Sequence, residues 1–320
     1  MGSTSIKGSE PRAHHFTPQC WLGGFTDTGR KDGRLTVTDL KRQKQWTTTP
    51  PNAGHRRDFY RVADPKLDPV WFERTFSEVE TIIGPVLRDL YEKPQEPGVE
   101  AMDALMYFAA LQYIRVPAFR PVLLRVADSI NRSMISGALK SPQSWAKALK
   151  KAGIPADSPG AGYDGMLAFE RDVINTGQYT ISAENDFFLV RGFRVAASAV
   201  YPALKNRYWQ TLISPSGSFI GSDNPVAMDG PKGRLVGFKS ADIVIFTVNR
   251  FLALYGTNAP LGRRLVNRRF IASHNSFTMI SADEQLYSES PDFCWLDAAD
   301  HIQTDWRAFS RESLLEAAQA

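Results

Sequence analysis

Strand-like and helix-like segments occupy different parts of this chain, and this separation limits its fold more than any other feature. β-Branched, alternating segments occur at 35–38 near the N-terminus and at 209–213, 243–248 and 252–255 near the C-terminus. Between them, residues 68–206 carry apolar side chains at helical spacing. The pattern predicts an α+β protein, with a mixed or antiparallel sheet formed by N- and C-terminal strands and a mainly helical middle region.

Length and composition favour a folded chain. Its 320 residues are 43% hydrophobic and 22% charged, close to the globular average. We expect residues 1–12 to form a disordered leader and residues 13–320 a single α+β domain with its helical part at 68–206, because terminal strands that share one sheet would tie the two ends together.

Prolines mark several predicted boundaries. Asp68 suits an N-cap and Pro69 the first turn of a helix, which Gly84-Pro85 should then kink or end. Pro117 should interrupt the buried helix that begins near Val99. Near the C-terminus we expect a short strand at 218–220 and helices at 261–273 and 304–318.

The sequence gives no sign of export or of membrane insertion. Residues 1–10 are too polar for a secretory signal, and Cys20 and Cys294 do not make a disulfide framework. Charge interrupts the longest apolar stretches before the ~18 residues that cross a bilayer. We therefore expect a cytoplasmic protein without a membrane partner.

Charge is spread unevenly along the chain. Residues 1–66 carry a net +6 and residues 281–320 a net −7. Such asymmetry can mark an anion-binding face. It is equally explained by two ends that pack near each other, or by two solvated faces, since no Lys/Arg run exceeds two residues.

The first candidate site segment is His14-His15-x-x-Pro18-Gln19. A neutral imidazole can act as general base near pH 7. Adjacent side chains on an extended chain point in opposite directions, so one histidine can act while the other orients the loop, or one can ligate a metal. The alternative is that both rings bind backbone groups.

Gln112 and Arg115 form the second candidate, because residues three apart share a helix face. Both interrupt an apolar helix, and a buried arginine needs an anionic partner. That partner is either a substrate phosphate or carboxylate, held bidentately, or a structural carboxylate such as Glu80 or Asp223.

Two further segments carry candidate polar residues. Asp223-Asn224-Pro225 follows a hydrophobic segment, where an aspartate can serve as a base, as a metal ligand or as part of an Asx turn. Tyr60, at the end of Asp58-Phe59-Tyr60, can donate a hydrogen bond to a ligand.

Taken together, these segments resemble a bacterial family catalogued as domain of unknown function 4238. The resemblance rests on the opening His14-His15-Phe-Thr-Pro-Gln19, on Asp58-Phe59-Tyr60 before a helix with Glu80, on Gln112-x-x-Arg115-x-Pro, and on Ser-Asp223-Asn-Pro. It covers roughly residues 13–280 and departs at Gly221, where the family more often has Thr. It implies no reaction, but it implies that these polar residues belong to one shared pattern.

Our leading hypothesis is a hydrolase that acts on a phosphate-bearing substrate, such as a nuclease or phosphodiesterase whose partner is a nucleic acid or nucleotide. His14 or His15 would be the general base or a metal ligand, Arg115 would neutralise phosphate charge, and Asp223 would bind a metal or orient the histidine. A divalent metal cofactor is left open. Substrate-binding roles fall to four polar residues: Gln19, Gln112, Asn224 and Tyr60.

The alternative hypothesis belongs to another class. The chain would be a non-catalytic ligand-binding or sensor module, for example in phage defence, in which Arg115 and the histidines hold a ligand or a structural network.

Overall fold

The structure is a computed structural model that describes residues 13–61, 71–230, 237–262 and 266–317. The predicted leader and the predicted helix start at Asp68 and Pro69 lie outside these described residues. The chain divides into two compact units. The larger contains the described residues up to Ala118 and from Asn185 onwards, and the smaller is Phe119–Glu184. Each unit is described by itself, and the single-domain arrangement stays a prediction.

Short strands lie towards both ends of the chain, and helices fill most of its middle. The strands are β1 (Ala13–His15), β2 (Leu35–Asp39), β3 (Lys44–Thr48), β4 (His55–Arg57), β5 (Tyr208–Ile213), β6 (Gly221–Ser222), β7 (Val226–Asp229), β8 (Ile243–Asn249), β9 (Leu252–Thr257), β10 (Gln285–Ser288), β11 (Trp295–Leu296) and β12 (Ile302–Gln303). The α-helices are α1 (Gln19–Leu22), α2 (Trp71–Glu92), α3 (Val99–Arg115), α4 (Phe119–Ala138), α5 (Pro142–Ala152), α6 (Tyr163–Phe169), α7 (Asn185–Val195), α8 (Tyr201–Lys205), α9 (Arg268–Ser281) and α10 (Arg311–Ala317).

Strands from the two ends of the chain share one sheet. Its order is β3-β2-β10-β6, and every pairing in it is antiparallel. The C-terminal strand β10 lies between β6 and the N-terminal strand β2. Its Tyr287 is opposite Val37 of β2 and opposite Gly221 of β6. The predicted α+β class, with N- and C-terminal strands in one sheet, is therefore confirmed. A second antiparallel sheet has the order β5-β9-β8-β7.

Helix α9 contributes to two apolar clusters. Ile271 joins the cluster that includes Phe219 of the larger unit, and Met279 joins the one around Leu286 and Trp295. The prediction of a helix over 261–273 had the wrong bounds. The helix begins after Asn267, whose side chain accepts a hydrogen bond from the Phe270 N–H at 2.8 Å.

Two other boundaries differ from the predictions. Helix α2 does not end at Pro85, because Thr81 and Pro85 lie on its exposed side, where water can satisfy the Thr81 carbonyl. Residues 218–220 do not form a strand. The Ile220 N–H instead donates to the Asn275 side chain at 3.2 Å, and the strand β6 begins at Gly221.

One helical stretch, Asn185–Lys205, is long and apolar enough to cross a membrane by length and composition alone. The stretch passes this test although it contains Arg191 and Arg194. We had expected such charges to keep every apolar stretch too short to cross a bilayer. Its Phe193 ring packs against the rings of Phe72 and Phe76 on α2. A helix packed within a soluble protein passes the same test, so the expected absence of a membrane partner stays a prediction.

The smaller unit begins with α4 and contains α5 and α6. The Ser141 hydroxyl accepts the Ser144 N–H at 3.1 Å and caps α5, and Gly153 ends this helix with a φ of 71°. Gly160, Gly162 and Gly165 have the spacing of a dinucleotide-binding loop. They follow a helix and a turn rather than a strand, so they lack the strand–turn–helix context that such a loop requires.

Candidate functional site

The two histidines of the opening segment point in opposite directions. Strand β1 pairs with β4, which places His14 opposite Arg56 and His15 opposite His55. His14 is fully buried, whereas His15 is partly exposed. The alternation predicted from the sequence therefore gives the two rings different surroundings and different roles.

His14 holds the segment that contains Tyr60. Its Nδ1 accepts the Tyr60 N–H at 2.7 Å, so in the neutral ring the proton is on Nε2. The two rings are nearly parallel, with centroids 5.9 Å apart. The His14 ring is fully buried at this position, and the catalytic role expected for it stays a prediction.

Arg115 joins three segments of the larger unit. Its Nη1 donates to Glu80 Oε1 at 2.9 Å and its Nη2 donates to the His15 carbonyl, while the Tyr60 hydroxyl donates to the Arg115 carbonyl. The guanidinium also lies 4.3 Å from the centre of the Phe76 ring. Arg115 thus links α2, α3 and β1, and of the predicted alternatives the structure supplies Glu80 as its carboxylate partner.

The charge of Arg115 is balanced within the protein. The residue is only 2% exposed, and burial by itself lowers the pKa of its guanidinium. Tyr60 and Glu80 more than offset this effect, so the pKa lies above its ordinary value and the group stays charged. Arg115 thus holds Glu80 and the His15 backbone in place, and the phosphate-neutralising role expected for it stays a prediction.

His15 is held in one tautomer. Its Nε2 lies 3.1 Å from the Pro51 carbonyl oxygen, which can only accept, so Nε2 carries the proton. Gln19 Nε2 lies 3.4 Å from the same nitrogen, so the Gln19 side chain contacts the Nε2 edge of the ring. Within the described chain no residue bonds Nδ1, which keeps its lone pair.

Burial lowers the pKa of His15, and the bond to Pro51 opposes that effect. Nearby His55 and Arg115 lower the pKa of His15 further, whereas Glu80 raises it. The ring is therefore neutral at pH 7, as a general base must be.

A cleft of about 800 Å³ lies beside this network. Gln19 and Glu80 line it, together with three basic residues, Arg30, Lys31 and Arg88. The carboxylates in its lining are Asp32 and Glu80, and Arg115 already pairs with Glu80. The unbalanced charge in the cleft is therefore positive.

The basic loop of the cleft has a fixed shape. Gly29 has a φ of 73°, and a Cβ there would collide with the Tyr91 ring. The Thr26 hydroxyl oxygen accepts the Arg30 N–H at 3.1 Å and donates to the Gly23 carbonyl at 2.8 Å. Cys20 also lines the cleft, and burial raises the pKa of its thiol to about 12, which keeps the thiol protonated at neutral pH.

Asp223 and Asn224 belong to a different network. The Asp223 carboxylate accepts the N–H groups of Asp283, Glu284 and Gln285 at 2.8, 2.8 and 3.0 Å. Asn224 Nδ2 donates to the Ser281 carbonyl at 2.9 Å. The pair therefore fixes the turn between α9 and β10, about 60 positions along the chain, rather than the local Asx turn that the sequence suggested. Among the described contacts, neither residue touches the two histidines.

One tyrosine connects this turn to the opening segment. The Tyr287 hydroxyl lies 3.5 Å from the Thr17 hydroxyl and donates to Gln285 Oε1 at 3.2 Å. The Thr17 N–H donates to the Gly54 carbonyl at 3.0 Å. Asp223 thus supports the strand β10, and Tyr287 on this strand contacts Thr17 of the histidine segment.

Gln112 is fully buried on α3. Neither its amide nitrogen nor its amide oxygen has a hydrogen-bond partner among the described residues. It does not line the cleft. The substrate-binding role expected for it stays a prediction.

The described residues were also searched for a metal-binding site. In the described part of the chain no group of three or more His, Cys, Asp or Glu side chains is arranged to hold a metal ion. The metal-binding roles expected for the histidines and Asp223 therefore stay predictions.

The sequence did not single out the basic residues of the cleft. Arg30 and Lys31 lie at a turn next to Gly29, and Arg88 is one of several charged residues on the exposed face of α2. The sequence of α2 carries a weak indication of the cleft, because one face of this helix has only small and polar residues at helical spacing. These residues are Ser77, Thr81, Gly84 and Arg88.

Comparison with known proteins gives one match. The model of a family described as "Protein of unknown function (DUF4238)" matches residues 13–292, which include every candidate segment and the whole cleft lining. The predicted resemblance is thereby confirmed. No curated protein and no solved structure matches the chain.

Proposed function

The chain belongs to the family DUF4238, and we propose that it hydrolyses a phosphate-bearing substrate bound in the cleft beside α2. The observation that carries this proposal is a neutral, oriented histidine next to a cleft with unbalanced positive charge. His15 would be the general base, and Arg30, Lys31 and Arg88 would bind the phosphate.

The size and charge of the cleft favour a nucleotide or the end of a nucleic-acid strand. Its volume of about 800 Å³ lies within the range of small-molecule sites. Arginine side chains bind phosphate oxygens bidentately, and lysine binds them as a point charge. A cytoplasmic location, where nucleotides are abundant, is part of the same proposal.

The proposed base lies just behind the cleft wall. Gln19 lines the cleft and its side chain lies 3.4 Å from His15 Nε2, so His15 would act from behind this wall, with the unbonded Nδ1 as the base and water completing the path to the substrate. Arg115 is a positioning residue, because it holds the backbone of His15 and the side chain of Glu80. Glu80 would orient the attacking water. A metal held by Glu80 together with substrate phosphates is compatible with this arrangement.

A non-catalytic ligand-binding or sensor module is the second candidate. It is favoured by the bonds that Arg115 makes to Glu80 and the His15 carbonyl and by the bond of His14 to the Tyr60 N–H. The cleft would then bind the same phosphate-bearing ligand without turnover.

Phosphodiesterase activity separates the two candidates. The purified protein would be incubated with nucleotides, RNA, DNA and a chromogenic phosphodiester, with and without Mg²⁺ or Mn²⁺. We expect His15→Gln to lower kcat by about 10²-fold or more, because it removes the base. The matched control is His55→Gln, which changes the ring opposite His15 across the β1–β4 pair.

If the wild-type protein binds a nucleotide but turns over none of these substrates, the sensor alternative is correct. If His15→Gln and His55→Gln lower the rate equally, His15 is not the base.

A further inference from the structure

A second cleft lies on the opposite face of α2. Val79, Ile82 and Ile83 of this helix line it, whereas Glu80 and Arg88 line the basic cleft. Helical spacing places these two sets about half a turn apart. The second cleft has a volume of about 790 Å³, and its other walls come from α3 and α8.

The lining of this groove is apolar and in part strongly exposed. Ile82 is 72% exposed and Val99 is 89% exposed. Tyr107 is also exposed and packs edge-on against Tyr201. Large apolar side chains that border one cavity, rather than lying scattered over the surface, are typical of an interaction site.

Carboxylates surround the apolar surface. Glu96, Glu100 and Asp103 line the groove, and Lys205 is its one cation among the described lining residues. Lys205 Nζ lies 2.7 Å from Asp103 Oδ1, so this pair is neutral overall. Within the described chain no ion pair is formed by Glu96 or Glu100, and the groove therefore has a negative rim.

One end of the groove is built as a fixed wall. The Tyr201 hydroxyl donates to both oxygens of Asp103 at 2.8 and 2.9 Å, and Lys205 lies over the Tyr201 ring. The hydrogen bonds from Lys205 and Tyr201 lower the pKa of Asp103, so it stays ionised at neutral pH. The bonds among Asp103, Tyr201 and Lys205 thus hold this wall in place where a partner would bind.

We infer that this groove binds a basic amphipathic segment of a partner protein. Apolar side chains of that segment fill the space between Ile82, Val99 and Tyr107, and its Lys or Arg side chains meet Glu96 and Glu100. The charge of the groove selects against an acidic segment and against phosphate-bearing ligands, which the basic cleft would bind. The inference stands without the proposed hydrolase activity, since it uses none of the cleft residues.

A binding measurement with a short amphipathic Leu/Lys peptide tests the inference. We expect the wild-type protein to bind this peptide at physiological ionic strength and to ignore a Leu/Glu peptide of the same pattern. Ile82→Ser/Val99→Ser should weaken binding by about tenfold or more. Its matched control, Ile130→Ser/Met134→Ser, changes two exposed apolar residues of the smaller unit and should bind as the wild type does.

The charge of the rim is tested separately. Glu96→Gln/Glu100→Gln should weaken binding of the Leu/Lys peptide and flatten its dependence on salt. All of these residues are exposed, so the variants should unfold at the temperature of the wild type, which a thermal scan checks.

Three outcomes would overturn the inference. The first is that the wild type does not bind the Leu/Lys peptide, and the second is that Ile82→Ser/Val99→Ser binds it as tightly as the wild type. The third is a concentration-dependent dimer that the same substitutions abolish, because the groove would then be occupied by a second copy of this chain.

Discussion

At the scale of single residues, His14, His15 and Arg115 each make a different set of contacts. His14 binds the Tyr60 backbone, Arg115 binds the His15 carbonyl, and His15 binds the Pro51 carbonyl through Nε2 and keeps Nδ1 unbonded within the described chain. The residue types could be predicted from the sequence, but their tasks could not. The tasks depend on contacts between residues as distant as His15 and Arg115.

The Arg115–Glu80 pair should be worth far more than a surface pair. Arg115→Met leaves a carboxylate in a mainly buried site, and loss of one partner of a buried pair costs about 3–5 kcal/mol of unfolding free energy. Arg132→Met is the control, because Arg132 and Asp128 form a more exposed i,i+4 pair, whose loss should cost far less. Chemical denaturation measures the loss of unfolding free energy in both variants.

The double variant Arg115→Met/Glu80→Gln should recover part of that loss, because it removes the unpaired carboxylate. Equal losses of unfolding free energy for Arg115→Met and Arg132→Met would contradict the linking role of Arg115.

At the scale of elements, buried polar groups join strands and helices that the sequence keeps apart. Asp223 fixes the turn that leads from α9 into β10, and β10 completes the sheet with β2. The sequence suggested that terminal strands share a sheet, because strand-like segments occur at both ends. The bounds of α9 were harder to predict, since Asn275, Ser276 and Thr278 are poor helix formers that tertiary burial keeps helical.

Two opposing effects act on Asp223, and pH can separate them. Burial raises the pKa of Asp223 to about 7 in the folded protein, while the three N–H bonds lower it. A raised pKa means that the folded state holds its proton more tightly than the unfolded state does. The stability contributed by this group is therefore complete below pH ~4 and is lost as the pH rises towards 7.

The measurement compares the unfolding free energies of the wild type and Asp223→Asn between pH 4 and 8. We expect the advantage of the wild type over Asp223→Asn to shrink across this range, because Asn does not titrate. An advantage that grows with pH would show that the three N–H bonds outweigh burial.

At the scale of the whole molecule, the larger unit places two clefts of opposite character on either side of one helix. The segregation of strands and helices predicted the fold class, because periodicity is a local property of the sequence. The clefts could not be predicted, because they depend on residues that are distant in the sequence. Arg30 and Arg88 line one cavity although 58 positions separate them, and no local pattern encodes such proximity.

Binding of a nucleoside monophosphate to the basic cleft, measured by titration calorimetry, tests the central claim most directly. We predict that the wild type binds and that Arg30→Gln/Arg88→Gln weakens binding by about tenfold or more, because two charge-assisted contacts are lost. Arg125→Gln, an exposed arginine of the smaller unit, should bind as the wild type does. No binding by the wild type, or equal binding by the double variant, would contradict the account.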